Sequence, residues 1–387
     1  MGTQMRIMWD CRSVSEHMGG IGVANTGWLR ETLNRKPPHW DIISLFSETC
    51  RPDTVRRLLP ALPTANIRVA SAGMVARVFE QVTLPSVLER EQIDLYFNPC
   101  FSIPAIKTTR YECSVVHDVV FLEHPEWVDE RLCKYLVHGT DLSMRRADAV
   151  FTVSEFSRSR IYALAPQRGW GKDGSLTIIR PSIPEHHRTP SHGGTDESPL
   201  QNHTESNFIL YVGAIEQKKG IKDLLDAYGC LSSRMSSTCP SLVLAGGTGG
   251  QSFDIENEVN VRGLRDRVHL LGWISEEHKS NLLRQARIFV FPSLYEGFGI
   301  PPLEAMAAGT PVIAAHTSSL PEVLGDAAVF TEPGDVEGLA EAIHNVLEDK
   351  ELRETMLTKG RLQVAKYDWG RSASTIISCF QGLEASA

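Results

Sequence analysis

Apolar residues along this chain come in two patterns. Short runs rich in Ile, Leu, Val and Phe alternate with longer stretches in which apolar positions recur every three or four residues. The first pattern predicts strands buried on both faces, and the second predicts amphipathic helices packed over them. Strands are expected at 6–9, 41–46, 95–98, 113–117, 149–153 and 176–179, then at 208–212, 241–245, 268–271, 287–291, 311–315 and 328–330. Strands spaced by helices imply βαβ units and parallel sheets, an α/β architecture. Between the two sets, 182–207 is rich in Pro, Ser, His, Gly and Thr, lacks apolar periodicity and reads as a linker. The chain therefore divides into two doubly wound, Rossmann-like domains, 1–185 and 205–369. In such sheets ligands bind beyond the carboxyl ends of the strands, so a central cleft faced by both halves is the expected site.

Length and composition fit that division. A chain of 387 residues can bury two cores. Hydrophobic and charged fractions of 42% and 22% suit a soluble globular enzyme. No apolar run approaches the roughly 18–20 residues that span a bilayer. Residues 1–10 lack a basic segment followed by an apolar one, so no secretory signal is read. The eight cysteines form no Cys-x-x-Cys pair and no zinc spacing, and reduced thiols in the cytoplasm are expected.

The net charge of -8 is unevenly spread. Residues 1–190 carry 23 Lys and Arg against 21 Asp and Glu, whereas 191–387 carry 16 against 26. A nucleic-acid partner is disfavoured by this acidic balance. Within 131–188 ten basic residues face five acidic ones, among them Arg131, Lys134, Arg145, Arg146, Arg158 and Arg160. That excess suits a phosphate-bearing acceptor or peripheral contact with an anionic membrane, and equally an ordinary solvated face.

Most of the chemistry is concentrated in 291–313, Phe-Pro-Ser-Leu-Tyr-Glu-Gly-Phe-Gly-Ile-Pro-Pro-Leu-Glu-Ala-Met-Ala-Ala-Gly-Thr-Pro-Val-Ile. A strand leads through a Gly/Pro-rich loop into a short helix at 302–308. Glu296 on the loop and Glu304 on the helix lie eight residues apart and are expected to point at two parts of one elongated ligand. The amides of Gly297, Phe298 and Gly299 precede a helix N-terminus, which attracts anions. Carboxylates for hydroxyls and amides for phosphate describe a nucleotide sugar.

Elsewhere, Asp10-Cys11-Arg12 and Gly19-Gly20-Ile21-Gly22 lead into a helical stretch with Trp28, Leu29 and Leu33. Neither this glycine cluster nor 246–250 completes the dinucleotide fingerprint, since Asn25 and Ser252 occupy the third position. An NAD-dependent oxidoreductase is thereby disfavoured. His117 ends a predicted strand and is expected to face the cleft. Ser154 is expected to cap the following helix, with Ser157 or Glu155 closing a capping box. No Ser-His-Asp or Cys-His nucleophile emerges, and no two aspartates are separated by a single residue.

Segment 291–313 closely resembles the Glu-x7-Glu signature of the retaining glycosyltransferases of family 4, which have the GT-B fold. The match extends through Pro-Ser, Glu-Gly-Phe-Gly, Pro-Leu-Glu-Ala-Met-Ala and Gly-Thr-Pro-Val. Asp-x-Arg with Gly-Ile-Gly, His117-Asp118, Ser154-Glu155-Phe156-Ser157 and the Val212-Gly213 to Lys219 element are also similar to that family. Lys218 stands where arginine is usual there, and Ala214 where some members carry another arginine.

The resemblance implies that Glu304 takes the donor ribose and Glu296 the donor sugar. It implies that Lys219, helped by Lys218, grips the diphosphate, and that Gly20 and Gly22 border it. The backbone around Trp273 would face the base. Asp10, Arg12 and Gly19 would border the acceptor, and His117 would bond a donor sugar hydroxyl or orient the acceptor. A terminal helix, 370–387, would return to the N-terminal domain. The implied reaction moves a hexose to an acceptor hydroxyl with retention, by front-face displacement, with no cofactor and no metal. Among family members the motifs look most like bacterial mannosyltransferases of O-antigen and exopolysaccharide assembly. The expected donor is GDP-mannose and the expected acceptor a lipid-linked, polyprenyl-borne saccharide at the inner face of the membrane. The alternatives are transfer from a UDP- or dTDP-sugar, a UDP-sugar 2-epimerase, and a silent sugar-nucleotide-binding protein. Intact Glu296, Glu304, Lys219 and His117 argue against the last.

Overall fold

A computed structural model describes residues 4–16, 18–70, 78–170, 176–184, 207–248 and 253–386. The chain forms two compact units, Met1–Ser182 with Asp368–Ala387, and Ile183–Tyr367. Most of the expected linker, and the end of the second glycine cluster, lie outside the described residues.

The first unit carries β1 (Met5–Cys11), β2 (Trp40–Ser47), β3 (Ile67–Ala70), β4 (Leu95–Asn98), β5 (Tyr111–Val115), β6 (Ala149–Thr152) and β7 (Thr177–Ile178). These described strands form one parallel sheet in the order β3-β2-β1-β4-β5-β6-β7. Central strands are buried along nearly their whole length because helices cover both faces. The β1, β4 and β6 side chains Trp9, Phe97 and Phe151 stack edge to face in the core. Phe97 also meets Phe380 of the C-terminal helix Trp369–Ala385. That helix packs on the helix Gly20–Arg35 so closely that a Cβ at Gly27 would lie 2.6 Å from the Trp369 ring. Asp368 starts it by accepting from Arg371 N at 3.0 Å.

The second unit carries β8 (Phe208–Val212), β9 (Ser241–Ala245), β10 (Val268–Gly272), β11 (Ile288–Phe291), β12 (Val312–Ala315) and β13 (Val329–Thr331). They form a second parallel sheet, β10-β9-β8-β11-β12-β13. In both sheets the chain builds outward from a central strand, then jumps across it to build the other side. In doubly wound sheets the ligand crevice lies beyond the carboxyl ends of the two strands at that jump. The jump lies between β1 and β4 in the first unit and between β8 and β11 in the second.

Two sequence expectations need correction. The strand predicted at 113–117 ends at Val115: Val116 N still donates to the Phe151 carbonyl of β6, and beyond it the chain leaves the sheet. His117 thus sits two residues beyond the strand. The edge strand β3 was not expected, since its burial is partial and Val69 is 61% exposed.

Candidate functional site

In the second unit the loop after β8 carries Glu216, a tight turn over Gln217–Lys219, and Gly220. The loop after β11 carries Glu296. The two loops are pressed together: Gly220 has φ of +66° and a Cβ there would lie 2.1 Å from the Pro292 carbonyl oxygen. Leu294 N donates to the Lys218 carbonyl at 2.8 Å. This seam brings Lys219 Nζ to 2.5 Å from Glu296 Oε1, with the Phe291 ring 5.8 Å below the ammonium. Lys218 turns to Glu216, 3.4 Å away. Burial, then Glu296 and Glu216, hold the Tyr211 phenol well above its ordinary value. Its hydroxyl donates to the Ala214 carbonyl at 2.8 Å, fixing the loop.

The Glu296 backbone is pinned independently of its side chain. Its N–H donates to Ser318 Oγ at 3.0 Å, and Ser319 Oγ donates to the carbonyls of Glu296 and Phe298 at 2.9 and 3.0 Å. Gly299 caps the helix Ile300–Ala308, which starts two residues earlier than expected, with Gly297 and Phe298 leading into it. Glu304 lies on that helix, 2% exposed. Its Oε1 accepts from Lys279 Nζ at 3.0 Å. Lys279 also pairs with Glu276 at 2.7 Å. Burial works against the Lys279 charge, but Glu304 and Glu276 outweigh it and leave the ammonium above its ordinary value. The two signature carboxylates are therefore held by two different lysines. Trp273 follows the edge strand β10, two strands from the crevice, and is 51% exposed.

In the first unit Asp10 and Arg12 leave β1 together. Asp10 accepts from Tyr96 Oη at 2.7 Å and from Arg12 Nε at 2.8 Å. Arg12 reaches on to Glu80 at 3.3 Å, a fully buried carboxylate that also accepts from Tyr135 Oη at 2.8 Å and from Ser102. Burial opposes the Arg12 charge, and Asp10 more than offsets it, holding the guanidinium well above its ordinary value. Both carboxylates are buried, and each already accepts from side-chain donors. Gly19 precedes the helix, and a Cβ there would meet no described atom within 4 Å. Gly20 opens the helix, while Gly22 is needed for packing, since a Cβ there would lie 2.6 Å from the Ser13 carbonyl oxygen.

His117 is buried rather than open. Its ring stacks on Trp28 at 5.9 Å and lies 5.5 Å from Phe101. Its Nε2 sits 2.8 Å from the Pro99 carbonyl, which only accepts. That contact places the proton on Nε2 and leaves Nδ1 as an acceptor in the neutral ring. Ser154 accepts from Ser157 N at 3.0 Å, the expected cap, and Ser157 Oγ donates to the His117 carbonyl at 2.8 Å. Burial holds the imidazole below its ordinary value, against the Pro99 carbonyl and Asp118. The folded ring thus binds a proton less tightly than the unfolded one. The stability it contributes is full above pH 6.5, its ordinary value, and is lost as pH falls toward the depressed one. Thermal unfolding between pH 7 and 5 should show this slope in the native protein and lose it in His117→Gln. An identical slope in both would show that His117 does not titrate this way.

Sequence reasoning missed Lys279, Glu80, Ser318 and Ser319. Lys279 left a signal: Lys279, Leu282, Leu283 and Ala286 share one helical face, so a lysine occupies an apolar stripe. Glu80 left none. Among the described residues no group of His, Cys, Asp and Glu could hold a metal ion, and no helix is long and apolar enough to cross a membrane.

Two parallel Rossmann-like sheets, each with its crevice, define the GT-B architecture. Sucrose-phosphate synthase from Thermosynechococcus elongatus has this fold, with a TM-score of 0.74 at 21% identity over 99% of this chain and 100% of that one. The family model described as glycosyl transferases group 1 matches residues 195–363. O-antigen chain mannosyltransferase B of Escherichia coli is 31% identical over 292 residues, covering 74% of each chain. Serotype-specific mannosyltransferase WbdA of the same species is 26% identical over 73% of this chain but only 35% of its own length. The chain belongs to the group 1 glycosyltransferases and is a glycosyltransferase.

Proposed function

We propose that the protein transfers mannose from GDP-mannose to a hydroxyl of a lipid-linked saccharide during cell-surface polysaccharide synthesis, in the cytoplasm and with retention. The observation that carries the mannosyl reading is the likeness to the O-antigen mannosyltransferase over three quarters of both chains. The site chemistry supports a sugar nucleotide. Lys219, backed by Lys218, neutralises the diphosphate, and Glu296 accepts from sugar hydroxyls while holding Lys219 in place. Glu304 accepts from the ribose. His117, with its proton fixed on Nε2, accepts a sugar hydroxyl at Nδ1. Asp10, Arg12 and Gly19 border a hydroxylated acceptor. No side chain is assigned as a nucleophile: the leaving phosphate takes the acceptor proton, and the protein stabilises charge developing on the diphosphate. The lysines stand in for a divalent cation, so none is needed.

Thermal-shift titration with GDP-mannose, GDP, UDP-glucose and dTDP-glucose tests the donor, because a bound ligand raises stability by RT ln(1 + [L]/Kd). Selective stabilisation by GDP-mannose is expected. Transfer should proceed in EDTA, and the product should keep the α-anomer. Conversion of a UDP-sugar without acceptor would establish the epimerase instead.

The membrane part of the reading narrows on the structure. Lys134 pairs with Glu130 at 2.5 Å and Arg146 with buried Glu112 at 2.7 Å. Arg158 pairs with Glu155, Arg160 with Glu123, and Arg145 donates to the Arg168 carbonyl. Among the described residues of this segment, most basic side chains thus have a carboxylate partner close by. Reversing Arg146 would set like charges together at Glu112 and damage the fold. Exposed Arg131 and Lys134 are the better probes. Attraction of about 1 kcal/mol per basic residue near an anionic surface makes Arg131→Glu with Lys134→Glu lower liposome binding at least tenfold at low salt. Unchanged sedimentation would remove this helix from the membrane contact.

A further inference from the structure

We infer that Lys279 is a positioning residue for the donor nucleotide: it fixes the Glu304 carboxylate so that Glu304 can accept the ribose hydroxyls. The inference rests on the proposed ribose role of Glu304. Lysine is almost never buried without partners, and this one is 91% hidden on a helix, Glu276–Gln285, that otherwise turns Leu282 and Leu283 inward. Its stem lies along that apolar face while its ammonium meets Glu304 from one side and Glu276 from the other. Glu304, 2% exposed, comes from a different helix and a different loop connection. A carboxylate on a flexible two-carbon stem has several rotamers, and an ion pair at 3.0 Å through Oε1 selects one of them. Selecting it before the nucleotide arrives removes an ordering cost from binding.

The role is distinct from that of Lys219. Lys219 meets Glu296 across the seam of the loops after β8 and β11, where the diphosphate and sugar are placed. Lys279 acts behind Glu304 and touches no reacting atom. Loss of Lys279 should therefore raise donor KM and leave kcat nearly unchanged, whereas loss of Lys219 should lower kcat.

The experiment measures binding of GDP and 2′-deoxy-GDP, with UDP and 2′-deoxy-UDP in parallel, to the native protein, Lys279→Met, Lys279→Arg and Glu304→Ala. Urea unfolding without nucleotide accompanies each. Native protein should prefer the ribonucleotide. Lys279→Met should bind the ribonucleotide about tenfold more weakly and lose most of that preference, the size expected when a charge-assisted contact is removed. Lys279→Arg should recover part of both, and if Lys279→Met does not fold, Lys279→Arg carries the test through a reduced preference. Equal weakening of ribo- and deoxynucleotides would mean that Lys279 is structural only, and would overturn the inference. Preference lost in Glu304→Ala but kept in Lys279→Met would overturn it while leaving the ribose reading intact. Preference kept in Glu304→Ala would overturn both.

Discussion

Glu296→Ala is expected to lower kcat by about 10²–10³-fold, the cost of removing one preorganised polar contact to a developing charge. The geometry makes the loss specific. Serine hydroxyls hold the Glu296 backbone at its N–H and its carbonyl, so the loop keeps its course without the carboxylate. Lys219, 14% exposed at its side chain and 2.5 Å from Glu296, loses the partner that aims it. On the proposed reading two contributions fall together: the acceptor for sugar hydroxyls and the orientation of the cation that faces the diphosphate. Glu296→Gln keeps the shape and an oxygen acceptor but not the charge, and should recover part of the rate. Steady-state kinetics with saturating donor, alongside thermal unfolding, would read both effects. Unaltered turnover in Glu296→Ala would remove Glu296 from the catalytic set. A large fall in unfolding temperature would assign it to the fold instead.

The fold was legible because buried parallel strands advertise themselves. Runs such as Phe208–Val212 and Ile288–Phe291 have no polar face to disguise them. The one strand that escaped, Ile67–Ala70, lies at a sheet edge with half-exposed side chains. The carboxylates of the 291–313 segment could be named from spacing and resemblance, but not their partners. Glu296 meets a lysine 77 residues away, and Glu304 meets one 25 residues away. Those pairings depend on which helix covers which strand end, and local pattern does not encode that. The same holds for Glu80, whose four-residue neighbourhood gives no hint that Ser102, Tyr135 and Arg12 converge on it. His117 shows a subtler gap. The sequence puts it on the strand, whereas it lies two residues beyond β5, and its burial and proton position come from Trp28, Phe101 and the Pro99 carbonyl, none of them its neighbours in sequence.

Gly220→Ala is expected to destabilise the second unit by about 1–3 kcal/mol from backbone strain alone, because φ of +66° suits glycine and penalises an L side chain. Steric repulsion adds to this, since the new methyl would lie 2.1 Å from the Pro292 carbonyl oxygen, and the backbone on both sides must move. The movement opens the seam that sets Lys219 against Glu296, so stability and turnover should fall together. Asparagine separates the two causes. It tolerates the left-handed region better than alanine but carries the same Cβ. If strain dominates, Gly220→Asn will recover much of the stability lost in Gly220→Ala. If the contact with Pro292 dominates, both variants will be equally unstable and equally slow. Urea unfolding of the two variants, with donor affinity measured on each, distinguishes these outcomes. A Gly220→Ala protein of native stability would show that the loops after β8 and β11 are not pressed together as described, and the Lys219–Glu296 pair would lose its structural basis.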